Sequence, residues 1–426
     1  MATLKDQLAW LTDLMHATVE ACRVAPGEDV PGCDLCNRLD VDVYLPGSAA
    51  GEGYRSWWLR DFVMSVPAMD LSAEYLAAAA RHFAGSQRPE DWHLVGGLVP
   101  AWFPSEKINL DGGYSYYPGS YRTDDTQAGM WGPRPPMDSV YCFIELVWLA
   151  WKSGARDLPA EQVGGVSMLE RMVRAYDAVL YDEATGLAVS SPIERSCDFG
   201  FTDTVYKVGR VLFGSVMAAR ACTRIEQVAR SLDEAETARR FASRARRIRE
   251  NIPCVFGTPD GLLNAATEVC CQPDVWGTAF AVYAGAVEGE VKLRACRALV
   301  DAWHRGTIVR DGAVRHLRTT DDWTDHTSWQ FSRAAYGTYQ DGGYWLTPSG
   351  WVIYAMSLVD PDAARHTTDE MVEHMKATDF RADPSNTGPV EWHNPDNGTV
   401  GHAVNLTSAA GPLEALERIR AEGLWS

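Results

Sequence analysis

Two stretches of the 426-residue sequence place carboxyl groups among bulky apolar residues. The segment 194–203, ERSCDFGFTD, contains Asp198 and Asp203, and Glu391 stands between a valine and a tryptophan. Burial disfavours the charged form of a carboxyl group, so such a group can hold a proton near neutral pH. Cleavage of a glycosidic bond uses one protonated and one ionised carboxyl group on opposite faces of the bond. We therefore expect Glu391 and either Asp198 or Asp203 to form a catalytic pair.

Aromatic residues concentrate in loop-like stretches that are rich in glycine and proline. The chain has 16 Trp and 16 Tyr, and many of them fall in the ranges 54–58, 114–131, 323–329 and 336–351. Such residues can fill a core. In glycine-rich loops, however, they are better placed to stack on flat, weakly polar ligand faces, of which sugar rings are an example.

Charged residues also stand where helices are expected to begin. Arg60 and Asp61 follow Trp58 and could form a structural ion pair, or a fork that binds sugar hydroxyls by charge-assisted hydrogen bonds. Asp138, at another expected helix start, could contact a ligand or act only as an N-cap, which contributes ~1 kcal/mol to a helix.

The elements that must position these residues are helices, because apolar residues recur mostly at helical spacing and strand patterns are scarce. The expected helices are 4–22, 58–71, 73–84, 139–153, 161–180, 204–230, 233–251, 275–287, 290–304, 349–358, 362–377 and 406–421. Short links alternate with long, aromatic, Asp-rich links. This pattern fits an all-α (α/α)6 barrel of six helical hairpins, in which the longer loops gather at one end and build the site. We expect a single catalytic domain over residues 1–426.

Charge and hydropathy exclude several classes of protein. The net charge of −18, from 39 Lys and Arg against 57 Asp and Glu, argues against binding to nucleic acid or to an anionic membrane. No stretch reaches the ~18 apolar residues that a membrane helix needs. The first residues have the spacing of an amphipathic helix rather than of a signal peptide. We expect a cytoplasmic protein, and the sequence indicates no particular oligomeric state.

The cysteines do not indicate a metal centre. Several of the ten cysteines lie within apolar helical runs, where a thiol behaves as a small hydrophobic group. Cys33 and Cys36 form the one CxxC motif, and no second pair accompanies it, whereas a zinc site needs four ligands. The expected chemistry needs neither a metal nor an organic cofactor.

The order of these segments resembles that of the alkaline/neutral invertases and of related six-hairpin glycosidases, which include trehalases and glucoamylases. The resemblance runs from Trp57 to Ala410. WLRDF at 58–62 resembles the family's RDF segment, MDS at 137–139 its VDSGLWW segment, SCD at 196–198 its SCMID segment, YQDGGYW at 339–345 its YHNGGSW segment, and VEW at 390–392 its PEYYDTRTG segment. Asp341 replaces the invertase Asn, so invertase specificity does not carry over.

The resemblance implies an inverting glycoside hydrolase that acts on a small carbohydrate. Asp198 or Asp203 would protonate the leaving oxygen, and Glu391 would activate a water molecule on the other face of the sugar. The residues that would bind the sugar are Arg60 and Asp61 on its hydroxyls, Trp58, Tyr344 and Trp345 by stacking, and Gln340, Asp341 and Asp138 nearby.

The general acid has two candidates. ERSCDF resembles the trehalase segment ESGWDF, which favours Asp198, whereas glucoamylases place their acid at a helix start, which favours Asp203. We place Asp198 ahead because it stands between Cys197 and Phe199. Asp203 is expected to begin the helix 204–230, whose positive end would lower the pKa of its carboxyl group.

Three other functions remain open at this stage. A sugar epimerase on the same barrel would use paired histidines, and His93, His326, His393 and His402 lie in loops. DDWTD at 321–325 matches the DDxxD motif with which terpene synthases bind magnesium and diphosphate. A non-catalytic sugar-binding protein would also use stacking aromatics, but carboxyl groups among apolar residues argue against it.

Overall fold

The computed structural model describes residues 3–51, 53–119, 132–321, 329, 331–383 and 385–425. Twelve α-helices lie within these residues: α1 (Leu4–Cys22), α2 (Leu59–Ser65), α3 (Ala73–Gly85), α4 (Asp138–Ser153), α5 (Met168–Asp177), α6 (Leu212–Ser231), α7 (Ala235–Phe256), α8 (Val275–Tyr283), α9 (Gly289–His304), α10 (Ser349–Ser357), α11 (Pro361–Ala377) and α12 (Leu406–Ala421). None of these described helices combines the length and the apolar character that crossing a membrane requires.

The helices form two layers that alternate along the chain. Each even-numbered helix contacts the next one, in the order α2, α4, α6, α8, α10 and α12, and α12 contacts α2 again. The odd-numbered helices pack against this ring, for example α3 on α4, α7 on α6 and α11 on α10. Burial follows the layers, because every residue of α8 and α10 is buried whereas α7 buries only the face that carries Phe241, Ile248 and Phe256.

Short strands occupy the connections between helices. They are β1 (Arg23–Val24), β2 (Val43–Tyr44), β3 (Ser56–Trp58), β4 (Trp92–Leu94), β5 (Gly97–Val99), β6 (Lys107–Asn109), β7 (Tyr114–Ser115), β8 (Gln162–Val163), β9 (Val166–Ser167), β10 (Val189–Ser190), β11 (Gly209–Arg210), β12 (Leu263–Asn264), β13 (Pro273–Asp274), β14 (Val309–Arg310), β15 (Ala313–Arg315), β16 (Tyr344–Trp345), β17 (Trp392–Asn394) and β18 (Thr399–Val400). Strands β14 to β18 form one antiparallel sheet in chain order, and β3, β6 and β7 form another. These two sheets hold loops that are distant in sequence side by side.

Helical periodicity predicted the helices well but extended several of them too far. In the range 161–180, the first residues form the hairpin β8–β9 and the helix begins only at Met168. In the range 58–71, the α-helix ends at Ser65, and a 3-10 turn that contains a proline, Val66–Ala68, follows it.

The prediction that a helix begins at 204 is wrong, because α6 begins at Leu212. The backbone before it bonds to other loops: Thr204 N–H donates to the Gln340 side chain, Tyr206 N–H to the Phe331 carbonyl, and Val205 pairs with Ser332. A backbone group that bonds to another loop cannot also close a helical turn. Of the DDxxD motif, residues 322–325 lie outside the described residues, as do His326 and most of the aromatic range 323–329.

Candidate active site

Four separate connections between helices and the start of α2 converge on one cavity, whose empty space measures about 270 Å³ with open solvent included. Its lining residues are Pro46, Tyr54, Trp58, Arg60, Asp61, Gly200, Phe201, Asp203, Tyr339 and Glu391. Aromatic rings and convergent polar groups are what a sugar ring needs from a binding site.

The Arg60 guanidinium lies at the centre of a buried group of carboxylates. Its Nη1 is 3.0 Å from Asp138 Oδ2 and 3.5 Å from Glu106 Oε1, and its Nη2 is 3.8 Å from Asp61 Oδ2. The guanidinium also faces the ring of Phe201 at 5.2 Å. Burial of these charges would be unfavourable without such partners, so the ion pairs hold α2, the start of α4 and the residue before β6 in one arrangement.

Gly200 fits into this group because it has no side chain. Its N–H donates to Asp138 Oδ2 at 2.6 Å, and a Cβ at this position would overlap the Arg60 guanidinium. The loop that carries Phe201 and Asp203 is thereby fixed against α2. Asp138, which was expected either to cap a helix or to contact a ligand, instead links Arg60 to this loop.

Glu391 immediately precedes β17 and is 1% exposed. Its Oε1 accepts a hydrogen bond of 3.0 Å from the Tyr54 hydroxyl, whereas its Oε2 has no hydrogen-bond partner among the described residues. Burial, and next the charge of Asp61, raise the pKa of Glu391 to about 8. One oxygen of this carboxyl group is therefore held in place and the other is available to a ligand or water.

Asp203 lines the same cavity and is partly exposed. Gln340 Nε2 donates to Asp203 Oδ1 at 2.8 Å, and Gln340 Oε1 accepts from Thr204 N–H at 2.8 Å. Burial raises the pKa of Asp203 to about 6. The expectation that a helix dipole lowers the pKa of Asp203 is wrong, because the next helix begins at Leu212 and not at Thr204.

Asp198 does not line the cavity. Its Oδ1 is 2.8 Å from Lys207 Nζ and accepts a hydrogen bond from the Thr202 hydroxyl, and both Asp198 and Lys207 are almost fully buried. The carboxyl group thus belongs to a buried ion pair behind the cavity, and its position gives no reason to place Asp198 ahead of Asp203.

A second cavity, of about 680 Å³, adjoins the first at Asp203. Its lining residues are Arg195, Asp203, Thr204, Tyr206, Phe331, Ser332 and Arg333. Asp203 therefore lies between an inner cavity, defined by the lining that contains Glu391, and this outer cavity. The two names are used in this sense below.

A third cavity, of about 760 Å³, lies among the ring helices and is mostly apolar. It contains Glu145, whose pKa is lowered to about 2 because Arg220 and Arg224 outweigh the opposing effect of burial. Both guanidinium groups bond to this carboxylate. A permanently ionised, paired carboxylate is unsuited to proton transfer, so we do not place the chemistry there.

Two aromatic residues differ from their expected role. Tyr344 and Trp345 were expected to stack on a sugar, but both are buried in β16 and neither is among the residues that line the inner cavity. Trp345 packs behind the site against Phe201, with ring centroids 5.6 Å apart, and its Nε1 donates to the Tyr339 carbonyl. Asp341, in the adjacent turn, is also buried and outside that lining.

Four residues of the site were not assigned a role from the sequence. Tyr54, Phe201 and Tyr339 line the inner cavity, and Glu106 pairs with Arg60 behind it. Tyr54 and Tyr339 lie in the aromatic loops 54–58 and 336–351. The sequence therefore predicted which loops line the cavity, but not which aromatic residues of those loops do so. Glu106 lies next to β6, where nothing in the local sequence indicates its distant partner.

One group of metal-ligand residues occurs among the described residues, away from the inner cavity lining. Ligand atoms of Asp311, His374 and His393 lie within 4.8 Å of one another. The two imidazole rings are stacked, with centroids 4.4 Å apart and planes at 17°. Lone pairs on stacked rings run nearly parallel, so they do not converge on one ion.

Solved structures with a similar fold carry glycosidase names. A glycosidase variant in complex with glucose has a TM-score of 0.55 at 16% identity, covering 99% of this chain and 98% of that chain. A glucoamylase from Saccharomycopsis fibuligera has a TM-score of 0.57 at 14% identity, covering 100% and 97%. An uncharacterized conserved protein from Thermus thermophilus has a TM-score of 0.57 at 13% identity, covering 95% and 99%.

These similarities extend over whole chains, and at such low identity they establish a shared fold. Neither a protein-family model nor a curated protein sequence matches this chain. The expectation of a helical, glycosidase-like fold is confirmed at this level.

The packing around Gly200 predicts that Gly200→Ala destabilises the protein. The added Cβ must displace the Arg60 guanidinium from Asp138, and overpacking of this kind costs about 1–3 kcal/mol. Urea unfolding measures the loss, and a crystal structure of the variant should show Arg60 moved. Gly51→Ala is the matched control, since its Cβ would meet only ordinary contacts and should change stability by about 0.5 kcal/mol or less. Equal stability of the two variants would contradict the proposed packing.

Proposed function

We propose that this chain is an inverting glycoside hydrolase that acts on a small glycoside or oligosaccharide. The observation that carries the proposal is that Asp203 and Glu391 line one cavity together with aromatic rings. Glycoside hydrolysis needs two carboxyl groups that can be in different protonation states. Burial raises the pKa values of both groups here toward neutrality, which suits that task.

The architecture that we propose is an (α/α)6 barrel formed by the whole chain as one catalytic domain. The closed order of contacts among the even-numbered helices supports it, because the ring uses helices from α2 to α12. We also propose a reducing, cytoplasmic location, supported by the free thiols of all ten cysteines.

Asp203 is the better candidate for the general acid. A bond that is cut between a sugar in the inner cavity and a leaving group in the outer cavity would lie at their junction, where Asp203 is found. Asp203 can then protonate the leaving oxygen as the bond breaks. Gln340 would act as a positioning residue, because its amide holds Asp203 Oδ1 and is itself held by Thr204.

Glu391 is the candidate general base. Tyr54 holds one of its oxygens, and the other, which lacks a partner among the described residues, can accept a proton from water. The water attacks the anomeric carbon from the face opposite the leaving group, and the configuration is inverted. Glu391 directly precedes β17, which is paired on both sides with β16 and β18, and this limits the movement of its carboxyl group relative to the sugar.

The sugar in the inner cavity would be held by charged and aromatic groups. Asp61 and Arg60 line the cavity and can bond to hydroxyl groups. Trp58, Phe201 and Tyr339 offer ring faces or edges for stacking. Glucose is the first sugar to test, because a glycosidase of similar fold was solved with glucose.

A sugar epimerase is less well supported by the site. Such an enzyme would use histidines as acid and base, and no described residue that lines the inner cavity is a histidine. His393 lies one strand position beyond Trp392 and stacks on His374, and His402 packs against Tyr54 from outside that lining. Release of a new reducing sugar would separate hydrolysis from epimerisation.

The reaction itself is tested by incubating the purified protein with α- and β-glycosyl fluorides of common hexoses, together with disaccharides. We expect hydrolysis of one anomeric series, and NMR should show a first-formed product of inverted configuration. The Glu391→Gln variant should turn over ~10²-fold more slowly or worse while it remains folded. A product of retained configuration would overturn the inverting mechanism, and near-normal turnover of the variant would remove Glu391 from it.

The choice between the two aspartates is tested with leaving groups of different quality. Asp203→Asn should slow hydrolysis of an unactivated glycoside by about 10²–10⁴-fold and largely spare a glycosyl fluoride, whose leaving group needs little protonation. Asp198→Asn is the matched comparison, because it removes the partner of Lys207 and should lower the free energy of unfolding by about 3–5 kcal/mol. It should affect both substrates alike. Selective rescue by fluoride in Asp198→Asn would reverse the assignment.

The pH dependence of kcat/KM should follow the two raised pKa values. Burial raises the pKa of Asp203 to about 6 and that of Glu391 to about 8. Below about pH 6 both groups are protonated and no base is present, whereas above about pH 8 both are ionised and no acid is present. Between these limits Glu391 is mostly protonated and Asp203 mostly ionised, so the form that the proposal needs, with the proton on Asp203, is the minor one of the two singly protonated forms. The share of this minor form is also largest between the two pKa values. We therefore expect a bell-shaped profile with its maximum between these limits. Activity that stays constant from pH 5 to about 9 would contradict a titrating pair in this range.

A further inference from the structure

The outer cavity contains an arginine for which the site proposed above has no use. Arg195 is 7% exposed, and its guanidinium lies over the ring of Tyr206 at 4.4 Å. Among the described residues it forms no ion pair, and the adjacent Glu194 instead bonds to Arg134 at 2.9 Å. Burial lowers the pKa of Arg195, whereas Cys197 and Tyr206 oppose this effect, and Arg333, which lines the same cavity, adds to it.

A buried guanidinium without a carboxylate is unusual. Burial of an uncompensated charge is unfavourable, and proteins normally pair such a group. The chain as a whole carries a net charge of −18, so its general surface repels anions and this cationic lining is a local exception. A guanidinium fork is suited to bind two oxygens of a carboxylate or phosphate at once.

The cavity is built to hold a ligand next to Asp203. Its walls are joined by the bridge between Val205 and Ser332 and by the hydrogen bond from Arg333 N–H to the Thr204 carbonyl. At its mouth, Tyr206 and Phe331 are 36% and 61% exposed and pack edge to face at 6.2 Å. Their apolar surface can cover the body of a small molecule whose charged end reaches Arg195.

We propose that the outer cavity binds a leaving group that carries an oxyanion, either a carboxylate or a phosphate, through Arg195. The proposal rests on the function proposed above, because it assigns the second half of the substrate of that site. An anion bound next to Asp203 also favours the protonated form of this carboxyl group, which is the form that a general acid needs.

The test compares aryl glycosides that differ only in the charge of the leaving group. Using the sugar and anomer that the fluoride experiment identifies, we would measure 3-carboxyphenyl, 3-carbamoylphenyl and 3-phosphonooxyphenyl glycosides. The wild-type protein should show a KM about 10- to 100-fold lower for an anionic glycoside than for the neutral amide, the usual effect of a hydrogen bond to a charged group. Whichever of the two anionic glycosides has the lower KM shows whether the natural leaving group carries a carboxylate or a phosphate.

Arg195→Gln should remove this preference and leave hydrolysis of the glycosyl fluoride unchanged, and Arg195→Lys should retain part of it. Arg88→Gln is the matched control, because Arg88 also lies 4.4 Å from an aromatic ring, that of Trp92, and lines neither cavity. Equal KM values for charged and neutral glycosides in the wild-type protein would overturn the proposal, even if Arg195→Gln fails to fold. If the fluoride is not hydrolysed at all, the proposed function fails first, and this result is distinguishable from a lost preference for anions.

Discussion

The ion pairs around Arg60 are the interaction on which the site depends. One guanidinium lies among Asp61, Glu106 and Asp138, all of them buried. These residues come from three separate parts of the chain, and none of the carboxylates could be buried at low cost without the cation. The same cation requires a glycine at position 200, which draws the loop of Asp203 against the start of α2. The ion pairs of Arg60 thereby fix the position of Asp203, a proposed catalytic residue that does not itself pair with Arg60.

Burial also raises the pKa values of the carboxyl groups that pair with Arg60. Burial raises the pKa of Asp61 to about 6 and that of Glu106 to about 7, although Arg60 opposes both shifts, together with Lys107 in the case of Glu106. A site with several carboxyl groups and few cations favours states that retain protons. This property suits an enzyme that must keep one acid protonated near neutral pH, and it arises from the composition of the cavity rather than from any single residue.

The sequence predicted the helices better than the site. Apolar periodicity located all twelve, because each helix buries a continuous face, and it failed at 204–211, where backbone groups bond to distant loops. Glu391 and Arg60 were identified from their apolar neighbours, and the structure brings them to one cavity. The preference for Asp198 came from its neighbours in sequence, whereas its partner Lys207 could be recognised only in the folded chain. Tyr344 and Trp345 looked suited to stacking, but pairing in β16 directs them behind the cavity.

The hydrogen bond between Tyr54 and Glu391 joins residues that are 337 positions apart. A contact of such sequence separation requires a large loop to close, and the entropy lost in closing it is recovered only when the intervening helices have packed. During synthesis on the ribosome, the segment with Tyr54 emerges long before the segment with Glu391, so early folding intermediates contain half of the site at most. The complete site should therefore form late in folding, after α2 and α12 have packed against each other. A partly synthesised or truncated chain that lacks the segment with Glu391 would have no complete inner cavity.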